Sequence, residues 1–129
     1  FFRAAGYVRD SLPPGARVLS AKSEPLYVYS NKLTLPLAPL VNLDSASFWQ
    51  TLRRDSVDFM LLSDLQWAER LRLAPKLAER CRDLAVVKFY APHTYLFRIQ
   101  AARGPDIERA GVDSACSAIA RYRADGDTL

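Results

Sequence analysis

Val57-Asp58-Phe59-Met60-Leu61-Leu62 is the most apolar stretch of this 129-residue chain. Its apolar run is nearly continuous and too short for a buried helix. It reads as a strand covered on both faces, the kind that sits inside a sheet with helices above and below. Upstream, Ala46 to Asp55 reads as a helix with Phe48 and Leu52 on one face. Downstream, Gln66 to Asp83 is the longest helical pattern, with Trp67, Leu71, Ala74, Ala78 and Cys81 at steps of three and four. Pro75 is expected to kink that pattern or split it in two.

The same alternation extends to both ends. Residues 1–11 read as a helix stopped by Pro13-Pro14-Gly15, and residues 17–22 as a strand. Ser23 is placed as an N-cap with Pro25 in the first turn, opening a short helix that ends at Ser30. Asn31 fits a left-handed exit. Leu33 to Leu37 reads as a short strand that Pro36 confines to an edge. Leu84 to Tyr90 and Thr94 to Gln100 flank Ala91-Pro92-His93 as a hairpin. Gly104-Pro105-Asp106 opens a last helix with Ile107, Gly111, Ser114, Ala118 and Tyr122 on one face. The expectation is a single three-layer α/β domain over residues 1–129. Its sheet is expected to be mainly parallel and Rossmann-like, with an antiparallel hairpin at one edge. Val18, Leu19, Phe48, Leu52, Phe59, Leu61, Val86 and Phe97 are the expected core.

Half of the residues are hydrophobic and a quarter charged, the balance of a folded domain. The net charge is +4, and Arg supplies 14 of the 18 basic residues. These residues are scattered rather than run together, and zinc spacings and aromatic RNA-binding motifs are lacking, which argues against nucleic acid as a partner. The apolar stretch Leu33 to Leu43 is broken by two prolines and is far shorter than the ~20 residues of a spanning helix. The opening Phe1-Phe2-Arg3-Ala4-Ala5 reads as the middle of a helix, so the chain is expected to continue upstream.

Catalytic signatures are weak. The five glycines make neither G-x-G nor a phosphate loop, so no nucleotide cofactor is expected. His93, the sole histidine, falls in a hairpin turn without a nucleophile elbow to serve. Asp125-Gly126-Asp127 resembles a metal-holding D-x-D, but a chain terminus is a poor scaffold for one. Cys81 and Cys116 lack metal-ligand spacing. They read either as two small buried thiols or as one disulfide in an oxidising compartment.

Two polar groupings carry a functional reading. In open α/β sheets, ligands bind beyond the carboxyl ends of the strands. Adjacent first and third strands would gather Lys22, Glu24, Ser63 and Asp64 there, as a small pocket for phosphate or sugar. The simpler reading is a salt bridge with helix caps from Ser23 and Asp64, since such corners need caps in any case. Arg72, Lys76 and Arg80 recur four apart on the long helix. They form either a solvated face or a stripe for anionic lipid head groups or a lipid-linked sugar phosphate.

Several segments share a family pattern. Ala5-Gly6-Tyr7-Val8-Arg9-Asp10 with Leu12-Pro13-Pro14-Gly15-Ala16-Arg17-Val18-Leu19-Ser20 resembles the start of the C-terminal soluble domain of polytopic membrane glycosyltransferases. These are the relatives of dolichyl-phosphate-mannose protein mannosyltransferases and lipid A aminoarabinose transferases. Lys22, Leu26-Tyr27-Val28-Tyr29-Ser30-Asn31, Val57 to Leu62 and the hairpin Phe89 to Ile99 resemble its later segments. The likeness covers roughly the first hundred residues. Asn31 stands where glycine is common, and the helix from Pro105 on is extra. The resemblance implies an extracytoplasmic domain of an enzyme that takes sugar from a polyprenyl-phosphate carrier. The catalytic carboxylates would lie elsewhere in the parent chain, and the domain's partner would be the parent's own transmembrane part. The alternative from another class is an independent module that binds a small anionic or sugar ligand.

Overall fold

The structure, a computed structural model, describes residues 2–20, 23–62, 67–90, 94–99 and 115–121. In chain order these form α1 (Phe2–Ser11), β1 (Arg17–Ser20), α2 (Ser23–Ser30), β2 (Leu33–Pro36), α3 (Ser45–Arg54), β3 (Phe59–Leu62), α4 (Trp67–Glu79), β4 (Leu84–Tyr90) and β5 (Thr94–Ile99). A further helix, α5, spans residues 115–121. Short 3-10 turns occupy Ala38–Leu40 and Cys81–Asp83.

The sheet is mixed, with strand order β2-β1-β3-β5-β4. β1 pairs in parallel with β2 and with β3, whereas β5 is antiparallel to both β3 and β4. The mainly parallel, Rossmann-like sheet expected from the alternation of helices and strands is therefore not the one that forms. In such a sheet the hairpin adds one antiparallel strand at an edge. Instead β5 takes the slot beside β3, and β4 becomes the edge. Burial gives the reason. Thr94 through Phe97 are all buried, with Tyr95 and Phe97 serving one face of the sheet and Leu96 the other. At the edge those side chains would lose half their packing. β4 instead exposes Lys88 and Phe89 and tolerates the rim. Between Val86 and Lys88 the register slips, leaving Val87 as an extra residue. Such a bulge twists an edge strand and discourages edge-to-edge pairing.

The two faces of the sheet build two cores. Val18, Phe59, Leu61 and Leu96 meet Ala4, Ala5 and Val8 of α1 and Leu26 of α2. Paired alanines let α1 sit close to the strands. On the other face, Leu19, Met60, Leu62 and Phe97 meet Phe48 and Leu52 of α3, Leu73 and Leu77 of α4, and Ile119 of α5. β3 serves both cores and is buried throughout. Seven of the eight expected core residues are buried, and Val86 packs partly buried against the second core.

Local chemistry explains the element ends. Asp44 caps α3 by accepting from the Ser47 N–H at 2.8 Å. At the other end of α3, Ser56 has φ 54°. The Val57 N–H returns to the Leu52 carbonyl and the Ser56 N–H to Arg53, closing a Schellman turn. Asn31, with φ 56°, makes the left-handed exit of α2. α4 runs through Pro75 to Glu79 as one helix rather than two. Pro75 withdraws the bond that the Leu71 carbonyl would accept. The neighbouring Arg72 carbonyl accepts from Lys76 Nζ at 2.8 Å. In α5 the buried side is Ala115, Ala118 and Ile119. Ala118 is the one described member of the stripe expected there, since Ile107, Gly111, Ser114 and Tyr122 lie outside the described residues.

Candidate functional site

β1 and β3 are parallel neighbours, with Ser20 opposite Leu61, so their carboxyl ends leave the sheet side by side. That is the corner expected to gather Lys22, Glu24, Ser63 and Asp64. Lys22, Ser63 and Asp64 lie outside the described residues, as does the side chain of Glu24. The structure brings the two strand ends together and gives no geometry for the four side chains. His93 and Asp125-Gly126-Asp127 also lie outside the described residues.

The opposite end of the same strands carries a shallow concavity of about 300 Å³, walled by Pro13, Gly15, Ala16, Asp58, Phe59, Arg98 and Ile99. Asp58, the single polar residue of the stretch that decides the fold, organises it. The Asp58 N–H donates to the Arg17 carbonyl at 2.9 Å, and its own carbonyl accepts from the Ile99 N–H at 2.8 Å. Its carboxylate accepts from the Arg17 N–H at 3.1 Å, and the Arg17 guanidinium donates to the Asp55 carbonyl at 2.9 Å. These bonds stitch β1, β3 and β5 together where the sheet begins. They give Asp58 a structural task in a hollow whose other charged wall residue is Arg98. Sequence reasoning passed over it as one member of a strand. The signal was a lone carboxylate at the opening of an otherwise apolar run, exposed and free to accept from neighbouring backbone.

The cationic stripe is also tied into the domain. Arg72 donates to Asn42 Oδ1 at 2.9 Å. Lys76 Nζ donates to the Val41 carbonyl at 2.9 Å, and the Lys76 carbonyl accepts from Trp49 Nε1 at 3.1 Å. The Arg80 guanidinium lies 5.9 Å from the Trp49 ring centroid. Ser45 on α3 donates to the Glu79 carboxylate on α4. The stripe clamps α4 to α3 and to the turn before it.

Cys81, just after α4, and Cys116 on α5 are joined by a disulfide with their Cα atoms 5.0 Å apart. It staples α5 over the second core. Among the described residues, no group of three or more His, Cys, Asp or Glu side chains is placed to hold a metal ion. No described helix is long and apolar enough to cross a membrane.

The surface departs from an ordinary polar exterior at α2. Leu26 and Ser30 face inward, and the side opposite exposes Tyr27 (52%), Val28 (79%) and Tyr29 (47%), continued by Leu33 (52%) on the adjoining edge strand β2. From Pro25 to Asn31 the chain has no charge. The sequence had marked this segment as a short helix only. The signal for more was an uncharged Tyr-Val-Tyr in a helix whose inward positions are already filled by Leu26 and Ser30. Beside it, Arg9 pairs with Asp10 at 2.8 Å. That hydrogen bond holds the Asp10 carboxyl below its usual range. Around α1 two further cations lie over aromatic rings, Arg3 at 5.3 Å from the Tyr90 centroid and Lys88 at 5.4 Å from that of Tyr7.

No family model, no curated protein and no solved structure matches the chain.

Proposed function

We propose that the chain is a non-catalytic extracytoplasmic domain of a membrane glycosyltransferase that draws sugar from a polyprenyl-phosphate donor. Its part is to shape or cover the mouth of a catalytic site housed in the parent's membrane-embedded portion. The observation that carries this reading is the Cys81–Cys116 disulfide. Disulfides of this structural kind persist in oxidising compartments and are rare where cellular reductants keep thiols free. The bond therefore favours the extracytoplasmic side of the membrane. The likeness of residues 5–20, 26–31, 57–62 and 89–99 to the soluble domain of polytopic transferases supplies the enzyme class. The polar groups that can be placed support an accessory role, because Asp58, Arg17, Arg72, Lys76 and Glu79 hold the domain's own elements together.

The test is sugar transfer by the full-length parent with and without residues 1–129, using a polyprenyl-phosphate sugar as donor and membrane insertion as the control. Loss of transfer with insertion intact is the expected outcome. Full activity after deletion would remove the accessory role. Saturable binding of a soluble sugar phosphate by the 129-residue chain alone would favour an independent binding module instead.

A further inference from the structure

We propose that the α1/α2 side of the domain is a lipid-facing surface, with the α2 ridge seated in the head-group region of a bilayer. The inference rests on the extracytoplasmic reading above and adds to it the orientation of the domain and the chemistry of what it touches.

The geometry of α2 comes first. Successive helical residues turn by about 100°. With Leu26 and Ser30 turned to the core, Val28 is at the outward crest and Tyr27 and Tyr29 flank it on its two shoulders. An apolar crest with phenolic shoulders suits the membrane–water boundary. There the ring sits among acyl carbons while the hydroxyl stays hydrated. Leu33 extends the crest onto β2. Within the described residues, Tyr7, Tyr27, Tyr29 and Tyr90 all belong to this side of the sheet, and Tyr95 to the other.

Size and charge choose the occupant. Two half-exposed tyrosines, one largely exposed valine and one half-exposed leucine offer on the order of 400 Å². That is about half of the ~800 Å² per partner in a stable protein pair. A second copy of the chain would gain too little here. A bilayer does not need that area, because partition of an apolar crest is reinforced there by charge attraction to anionic head groups. Among the described side chains the rim is basic on balance, with the exposed Arg3, Arg9 and Lys88 against Asp10. A net positive rim around an apolar crest complements anionic head groups.

The experiment is co-flotation of the 129-residue chain with phosphatidylcholine vesicles containing about a third phosphatidylglycerol, at low and at high salt. The expected result is binding that weakens as salt rises. Val28→Glu should weaken it about tenfold, as should Tyr27→Ser with Tyr29→Ser, because both remove the apolar crest. The outward position of Val28 predicts an unchanged melting temperature for Val28→Glu, which separates lost binding from lost folding. No binding by the unaltered chain, or binding that both variants leave intact, overturns the proposal. So does a stable dimer in solution that Val28→Glu splits, since the occupant would then be a second copy. The outcome is separable from the accessory role. A parent that needs residues 1–129 for transfer while the domain ignores vesicles keeps that role and loses the lipid-facing surface.

Discussion

Removing the disulfide by Cys81→Ala with Cys116→Ala perturbs the domain at a place where the cost can be worked out. The two residues are 35 apart in sequence. Opening a loop of that length returns chain entropy to the unfolded state, and the loop-entropy relation puts the loss at about 4 kcal/mol. A domain of this size shifts its melting temperature by roughly 4 °C per kcal/mol, so the double variant should melt about 15 °C lower. The structure also says where the loss should be felt first. α5 is described over residues 115–121, where its buried side chains are Ala115, Ala118 and Ile119. An alanine methyl returns only about 0.8 kcal/mol on burial. Helices in proteins draw most of their stability from packing rather than from their own hydrogen bonds. Without the staple, α5 should open before the sheet does.

The assays are thermal unfolding followed by circular dichroism and amide exchange along residues 115–121. Both are run on the double variant and on the unaltered chain with and without a dithiol reductant. The expected pattern is a lower midpoint, faster exchange in α5, and unchanged protection in β3 and β5. A midpoint lowered by less than about 3 °C, with α5 still protected, would mean that packing alone holds the helix. The entropic reasoning would then be wrong for this domain.

Two more outcomes follow from the helix ends. Ser56 is exposed and left-handed, a conformation that costs a residue with a Cβ roughly 1–2 kcal/mol. Ser56→Gly should therefore stabilise the domain by about 0.5–1 kcal/mol after glycine's own entropy is discounted, as read from denaturant unfolding at constant m. The Asp44 carboxyl is held below its usual range by its hydrogen bonds with Ser47. A depressed carboxyl adds stability above its unfolded pKa and loses it as pH falls through the folded value. Asp44→Ala should thus lower the melting temperature at neutral pH, and the gap from the unaltered chain should close below about pH 4. A gap that is the same at pH 7 and pH 3 would show that the cap owes nothing to ionisation.

Strands and helices were legible because their periodicities are strong. The run Val57 to Leu62 announces a strand buried on both faces, and Pro13-Pro14-Gly15 and Asn31 mark their turns. Sheet order was not legible in the same way. The choice between β4 and β5 as the neighbour of β3 depends on how seven consecutive residues share burial between two faces. The bulge at Val87 alters that sharing by one residue. Periodicity records which side chains alternate, and pairing depends on which strand loses less at the rim. The cationic residues of α4 were visible as a stripe, but their partners, the Val41 carbonyl, Asn42 and Trp49, come from segments some thirty residues away. Sequence spacing within one helix carries no information about them. Asp58 was hidden for a similar reason, since its bonds reach across three strands.

The two halves of the functional reading fall on opposite faces of the sheet. The disulfide and the clamp between α3 and α4 belong to the second core, where large side chains such as Phe48, Phe97 and Leu77 fill the layer. The α2 ridge belongs to the first, which is built with smaller alanines and leaves its outer aromatic residues exposed. A domain lying on a bilayer by its α1/α2 side would turn the disulfide away from lipid, toward the oxidising solution that maintains it. The strand corner after β1 and β3 would then lie at the flank, beside the surface rather than beneath it. There a lipid-linked sugar phosphate at head-group depth would pass the side of the domain. The α4 stripe, already bound to α3 and the turn before it, has no need of a membrane in this arrangement. Lipid contact is assigned to α2 because its apolar crest is exposed.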